Sequence, residues 1–410
     1  MNLVDGAILS ADDCEPILEN LEHRLIVTLE QERLNPNVVI AACHKLASEL
    51  DEERYLAKLD LPGISPALGR RYIAEAKEML RADILRARLS MELGDNYTQR
   101  TEPIGVLLHM AAGNADGLPA FSVLEGLLTG NINILKLPAA EGGLTLELLA
   151  DLIRTEPSLS KYIYVFDYSS HDLTHIMKLL SVADAVVVWG GDEAIAALRT
   201  MVKPNTKLIE WGHKVSFGYV TRSSLSTVGL SGFARNIVET GQMLCSSCQG
   251  LYVDTADMEE IYALSERFLP LLEHEAGALA TIGIAAQATL ELYTASLMTT
   301  PANVRVFRGR GCGIIAQSNS YVESAPAPRV PWIKPLPREQ IVRTLHPYKN
   351  HLQTVGLLCS GDERISLAQQ FFKTGVVRIT QGENMSCAKP NAPHDGEYPL
   401  RRYVKITNIE

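Results

Sequence analysis

The residues best able to do chemistry lie in one short segment, Gly241-Gln242-Met243-Leu244-Cys245-Ser246-Ser247-Cys248-Gln249. Cysteine reacts through its thiolate, and an ordinary thiol with a pKa of about 8.5 must be drawn down to react at neutral pH. Backbone N–H groups at a helix end or turn can do this, and Ser246 and Ser247 allow a tight chain path. Two other readings suit the same residues: buried structural thiols, or one half of a zinc site. Zinc would need further ligands, and no second Cys-x-x-Cys or spaced His pair lies nearby. The other cysteines (Cys14, Cys43, Cys312, Cys359 and Cys387) are scattered. They read as small buried hydrophobes in a reducing cytoplasm rather than a disulfide framework. His109, His213 and His394 can titrate, but their spacing gives them no role beyond satisfied or solvent-facing residues.

The elements that must position this segment read as an α/β protein. Residues 11 to 95 place apolar side chains at i, i+3 and i+4 and are expected to be helical. From Thr101 the period changes to strand-length apolar runs: 101–110, 131–136, 162–168, 184–191 and 207–212. Helical stretches separate them, including FSVLEGLLTG, which ends on Gly130. That alternation predicts a mainly parallel sheet covered on both faces. A second α/β unit is expected from about residue 213, with the runs FGYV, GLYVD and LQTVGLL and the helices FARNIVET and MEEIYALSERFLPLLEHEAG. The proline-rich SNSYVESAPAPRVPWIKPLPRE reads as an extended crossing segment, and GEYPLRRYVKITNIE as a terminal strand.

With 410 residues, 46% of them hydrophobic, the chain can bury a large core in two or three domains. Its net charge of -10 argues against a nucleic-acid partner, because phosphate backbones need clustered Lys and Arg. No apolar run reaches the roughly 18 residues of a membrane span. The start, MNLVDGAILSADDCEP, lacks a basic segment followed by an apolar one, so a cytoplasmic protein is expected.

Four segments occur in an order that resembles the aldehyde dehydrogenase superfamily. They are Arg100-Thr-Glu-Pro-Ile-Gly-Val106, Gly130-Asn131 with Lys136-Leu-Pro138, Glu210-Trp-Gly-His-Lys214, and the Cys245 loop. Within it, the chain is most similar to the LuxC-type long-chain fatty-acyl-CoA reductases. The tokens are Gly113-Asn114, Trp189-Gly-Gly-Asp-Glu-Ala-Ile195, Cys245-Ser-Ser-Cys248-Gln249, Leu352-Gln-Thr-Val-Gly356 and Pro393-His-Asp-Gly-Glu-Tyr-Pro399. The resemblance runs from about residue 100 to the C-terminus; the first 95 residues add no motif.

The resemblance implies an aldehyde-dehydrogenase-like α/β fold: a Rossmann-type dinucleotide domain, an α/β catalytic domain and oligomerisation segments. The expected division is a helical region 1–95 packing on the cofactor domain, a dinucleotide-binding domain 96–212, a catalytic domain 213–385, and a tail 386–410 returning to the cofactor domain or an oligomer interface. It implies NADPH-dependent reduction of an acyl-CoA, fatty acyl in the nearest relatives, through a Cys245 acyl-enzyme. Asn114 would supply an oxyanion-hole amide. Lys136, with Pro138 and Ala139 after it, would hold the adenosine ribose at a strand end. Gly190 and Gly191 would let the backbone approach the cofactor, with the following helix N-terminus facing the pyrophosphate; Gly212 belongs to the same set. In NAD-preferring relatives a Glu stands three residues after the lysine. Ala139 stands there in this chain, with Glu141 two residues beyond, so NADP(H) is expected to be preferred over NAD(H).

Glu210 matches the general base of hydrolytic aldehyde dehydrogenases, and an acid/base role toward Cys245 or CoA is expected. The alternative is a carboxylate paired with Lys214 or Lys207. Close relatives more often carry Pro where this chain has Cys248, so a reversible Cys245–Cys248 disulfide is an expectation particular to this sequence. The expected partners are acyl-CoA, an acyl-activating or acyl-transferring enzyme and further copies of the chain, with no nucleic acid and no membrane span. The rivals are an aldehyde dehydrogenase releasing carboxylate, a reductase of acyl phosphates, and a non-catalytic acyl-carrying subunit.

Overall fold

Short runs of valine, isoleucine and leucine set the two seven-stranded sheets of this protein. They were traced in a computed structural model that describes all residues except 60–65, 95–98, 112–116, 139–142, 279–281, 299–302, 388 and 409–410. Asn114, Ala139 and Glu141 therefore lie outside the described residues. The chain divides into two units.

Unit 1 comprises Met1–Asp60, Gly69–Gly212 and Lys389–Glu410. Its strands are β1 (Asn2–Val4), β2 (Ala7–Leu9), β3 (Gln99–Pro103), β4 (Val106–Met110), β5 (Ile132–Lys136), β6 (Ile163–Phe166), β7 (Ala185–Trp189) and β8 (Lys207–Trp211). Seven form one sheet in the order β2-β1-β6-β5-β4-β7-β8, with β3 outside it. From β6 to β8 every neighbour runs parallel, and β1 adds antiparallel to β6. Successive side chains point to opposite faces. Leu108, Ile134 and Val186 therefore join one core, while Leu107, Ala185, Val187 and Ile209 gather with Tyr403 in another. Strand order reverses between β4 and β7, where doubly wound sheets open a crevice at their carboxyl ends.

The single run expected over 101–110 is two strands in two sheets. Gly105, between them, has φ +137°, and a Cβ there would fall 2.1 Å from Asp184 Oδ2. That oxygen accepts the Val106 N–H at 2.8 Å, so the bend is specified by a glycine and a carboxylate together.

Unit 2 is formed by Leu61–Leu68 and His213–Ala388. Its strands are β9 (Val215–Val220), β10 (Cys248–Val253), β11 (Val304–Gly309), β12 (Cys312–Gln317), β13 (Trp332–Pro335), β14 (Leu352–Leu358) and β15 (Arg378–Thr380). Their order is β11-β12-β13-β10-β9-β14-β15, parallel apart from the β11–β12 hairpin. The proline-rich stretch thus contains an inner strand, β13, as well as extended chain. Within β13, Lys334 is fully buried, and its ammonium donates to Asn319 Oδ1, the Tyr321 carbonyl and Glu323. Those bonds fold the preceding loop back over its own strand.

Two bulges interrupt the ladders on either side of β9. Cys248 pairs with Ser216 and Leu251 with Gly218, so Gln249 and Gly250 share one partner residue, Phe217. Leu352 pairs with Val215 and Val355 with Phe217, so Gln353 and Thr354 together face Ser216. Such insertions bend a strand and re-aim its side chains. The chain then returns to unit 1, where β16 (Val404–Asn408) pairs antiparallel with β3.

Candidate active site

The helix Thr227–Thr240 leads to the reactive segment. It starts on Ser226, whose hydroxyl accepts the Gly229 N–H, and stops at Gly241 in the left-handed region at φ 55°. Gln242 is also left-handed at φ 60°, an unfavourable state for a residue with a Cβ. Its side chain offsets that cost: Nε2 donates to the carbonyls of Cys248 and Gln249, each at 3.1 Å. Gln249 Nε2 answers with a 2.9 Å bond to the Gln242 carbonyl. Ser247 N–H donates to the Leu244 carbonyl and Ser247 Oγ accepts the Leu244 N–H, closing a tight turn around Cys245. The loop is thus held at both ends.

Cys245 sits half-buried at the amino-terminal edge of the unit 2 sheet. Ser216 Oγ, from the bulged register of β9, donates to the Cys245 carbonyl at 2.7 Å, and Gln353 Nε2, from β14, donates to the sulfur at 3.2 Å. Because Cys245 follows the carboxyl end of its helix, that helix dipole cannot favour a thiolate. A side-chain amide, that of Gln353, is a charge-stabilising donor at the sulfur. Gln353 escaped the sequence reading: Leu352-Gln-Thr-Val-Gly356 was legible as a family token, but the reach of Gln353 depends on the bulge.

Cys248, three residues on, has a different environment. It is fully buried in the core with Phe233, Leu251 and Ile333, its Sγ donates to the Gly250 carbonyl, and burial pushes its thiol up to about 12. A sealed, protonated thiol is a poor disulfide partner, which argues against the expected redox pair. Nor, among the described residues, is there a cluster of His, Cys, Asp and Glu able to hold a metal.

On unit 1, Lys136 closes β5 and is 5% exposed. Burial draws its ammonium below the usual lysine range, opposed by Asp167, and among the described residues no hydrogen-bond or ion-pair partner reaches it. A buried cation in that state calls for a ligand with acceptor oxygens, and the hydroxyls of a dinucleotide ribose fit. Pro138 is buried beside it. Gly190 and Gly191 follow β7 at the strand-order reversal, and a Cβ on Gly191 would meet nothing within 4 Å. The helix Asp192–Met201 opens there with Asp192 and Glu193 in its first turn. Those carboxylates already compensate the dipole and repel an anion, so the expected pyrophosphate contact at this helix end is disfavoured.

Glu210, on β8, is held by neither Lys214 nor Lys207. Both carboxylate oxygens take bonds from Arg199, at 2.5 and 2.6 Å. Lys207 donates to the Arg402 carbonyl and Lys214 to the Asn350 carbonyl. A Cβ added to Gly212 would lie in ordinary contact with Ile195, 3.5 Å away. His109 is a satisfied core residue: its ring nitrogens meet Ser122 Oγ at 2.7 Å and Asn133 Oδ1 at 3.0 Å. His394 packs against the stacked rings of Trp189 and Trp211.

The fold is that of the aldehyde dehydrogenases. Aldehyde dehydrogenase C of Pseudomonas syringae, solved as a variant with NAD+ and octanal, superposes with a TM-score of 0.75 at 14% identity, covering 100% of this chain and 96% of that one. The glyceraldehyde-3-phosphate dehydrogenase GapN of Methanocaldococcus jannaschii, solved with NADP, gives 0.69 at 12% identity, covering 98% and 95%. Residues 43–406 match the family model for acyl-CoA reductase (LuxC), and the chain belongs to that family. The long-chain acyl-protein thioester reductase of Aliivibrio fischeri is 24% identical over 327 residues, 77% of this chain and 66% of that protein. Its counterpart from Vibrio harveyi is 32% identical over 171 residues, 41% and 35% of the two chains. This chain therefore spans less than two thirds of the length of either relative. No described helix is long and apolar enough to cross a membrane.

Proposed function

We propose that this chain reduces a long-chain acyl thioester to the aldehyde through a Cys245 acyl-enzyme, with NADPH preferred over NADH. The observation that carries the reading is Cys245 itself, a half-buried sulfur taking an amide N–H on a loop anchored to β9, in a chain of the LuxC family. The thiolate attacks the thioester carbonyl, and the departing thiol takes up a proton. A nicotinamide cofactor supplies the hydride that reduces the acyl carbon. The C–S bond then breaks, releasing aldehyde and restoring the Cys245 thiolate. Lys136 would bind the cofactor's ribose; Pro138, Ala139, Gly190, Gly191 and Gly212 complete the proposed cofactor set. Asn114 would donate to the oxyanion, and Glu210 is the proposed acid/base group. The family is described by acyl-CoA and the relatives by acyl-protein; both donors are thioesters and pose the same chemistry to the thiol.

Intact mass spectrometry with acyl-CoA or an acyl-carrier protein, and no cofactor, is expected to show one acyl increment. It should survive in Cys248→Ala and vanish in Cys245→Ala. Loss of the reduced-nicotinamide absorbance should follow on adding NADPH, at higher kcat/KM than with NADH. An increment retained in Cys245→Ala would overturn the assignment of the nucleophile. Aldehyde oxidation to carboxylate without thioester reduction would favour the hydrolytic alternative.

A further inference from the structure

Three features converge on Cys245 from the strands beneath it. Gln353 is 7% exposed, and its Nε2 lies 3.2 Å from Cys245 Sγ. Its Oε1 accepts the Thr354 hydroxyl at 3.3 Å, an arrangement in which the NH2 group faces the sulfur. The Thr354 N–H leaves the ladder to donate to Ser216 Oγ at 3.0 Å, and that same hydroxyl donates to the Cys245 carbonyl. The bulge at Gln353–Thr354, two residues opposite Ser216, permits both connections at once. In a regular ladder the Thr354 N–H would be spent on the backbone, and side chains on the two sides of the bulge would keep strict alternation.

We propose that Gln353 is the positioning residue of the nucleophile: its amide N–H stabilises the Cys245 thiolate and fixes the direction from which the sulfur attacks. A hydrogen bond to an anion is roughly twice as strong as one to a neutral acceptor, so the amide favours the thiolate over both thiol and thioester sulfur. Its effect falls on the reactive state of the enzyme and relaxes once the sulfur is acylated. At Cys248, backbone bonds from Gly218 and Gly250 also favour the thiolate, but burial outweighs them and the thiol keeps its proton, which it donates to the Gly250 carbonyl. The proposal takes Cys245 as the nucleophile, but it can be read without any substrate.

The experiment is the pH dependence of Cys245 alkylation by iodoacetamide in the full chain, followed at the Cys245 peptide by mass spectrometry. Gln353→Met keeps length and apolar bulk but donates no hydrogen bond. Gln353→Glu keeps the shape and places an acceptor and a charge at the sulfur. Relative to wild type, the Met variant is expected to shift the alkylation profile to higher pH, with a roughly tenfold slower reaction at pH 7 and an unchanged plateau at high pH. The Glu variant should shift it further. A purely structural role for Gln353 would lower thermal stability without moving the profile. Overlaid profiles in both variants would overturn the proposal. If alkylation shifts but no acyl-enzyme forms with any thioester, the proposed reaction fails while the assignment of Gln353 stands. If either variant is unfolded by circular dichroism, the other carries the comparison; a Gln353→Asn chain, with its shorter amide, should shift less than Gln353→Met, and an equal shift would also overturn it.

Discussion

Glu210 holds both carboxylate oxygens on the Arg199 guanidinium, and that clasp sets a condition on any acid/base role. To take a proton from a thiol, the carboxylate must leave Arg199 or share it. Glu210→Gln is expected to slow acyl transfer by about 10²- to 10⁴-fold, the usual cost of a lost general base, while Arg199→Ala leaves acyl transfer at or above the wild-type rate. Stopped-flow release of free thiol reads both. Equal, small losses in the two variants would reduce the pair to a surface clasp with little energetic weight. Single residues differ in how much of this was written in the sequence. Cys245 was legible because its loop is a contiguous token, and Lys136 because it closes a strand. The partner of Glu210 was not: Arg199 lies eleven positions away on a helix whose facing side depends on how it packs over β8. Gln353 was hidden for a related reason, since its side chain reaches the sulfur only through a two-against-one register.

At the scale of elements, β10 begins on Cys248 and carries the loop's exit into the core. Its N–H donates to Asn236 Oδ1 at 2.9 Å, and Asn236 Nδ2 donates to Ser386 Oγ at 3.0 Å, so one helix side chain binds the loop to a segment far along the chain. Cys248→Ala preserves the backbone bond and removes only a buried sulfur. It is expected to cost about 1 kcal/mol in denaturant unfolding and to leave alkylation of Cys245 unchanged; a large loss of Cys245 reactivity would return Cys248 to the chemistry. The parallel strands were readable because strands covered on both faces are written as unbroken apolar runs. The opening hairpin was missed although Asp5 and Gly6 carry the signal of a two-residue turn, with φ 52° and 77°; its strands are only three residues each. β13 was masked by its flanking prolines, which sit at the strand's margins, where a lost N–H does not break the ladder.

For the molecule as a whole, two histidines set opposing pH dependences. Burial lowers His109 to about 4, against a small opposing bond with Asn133. The unfolded chain therefore binds the extra proton first: this contribution is complete above pH 6.5 and is lost as pH falls from 6.5 toward 4, about 3 kcal/mol in all. Partial burial of His175 opposes its charge, but hydrogen bonds to Glu15 and Asp172 outweigh it and raise its pKa, so its contribution is full at acidic pH and fades as pH rises beyond 6.5. Urea unfolding between pH 7 and 4.5 should show a steeper acid loss in wild type than in His109→Gln; parallel curves would contradict the assignment of His109 as a buried neutral ring. Unit 1 is also completed late, by the segment Lys389–Glu410. Asn131 Nδ2 donates to the Tyr403 carbonyl, 272 positions later, and Glu92 accepts the Leu400 N–H from 308 positions later. During synthesis those buried groups must wait on water while all of residues 213–388 emerge. The ribosome can thus release a largely finished second unit before the first, begun earlier, is able to close.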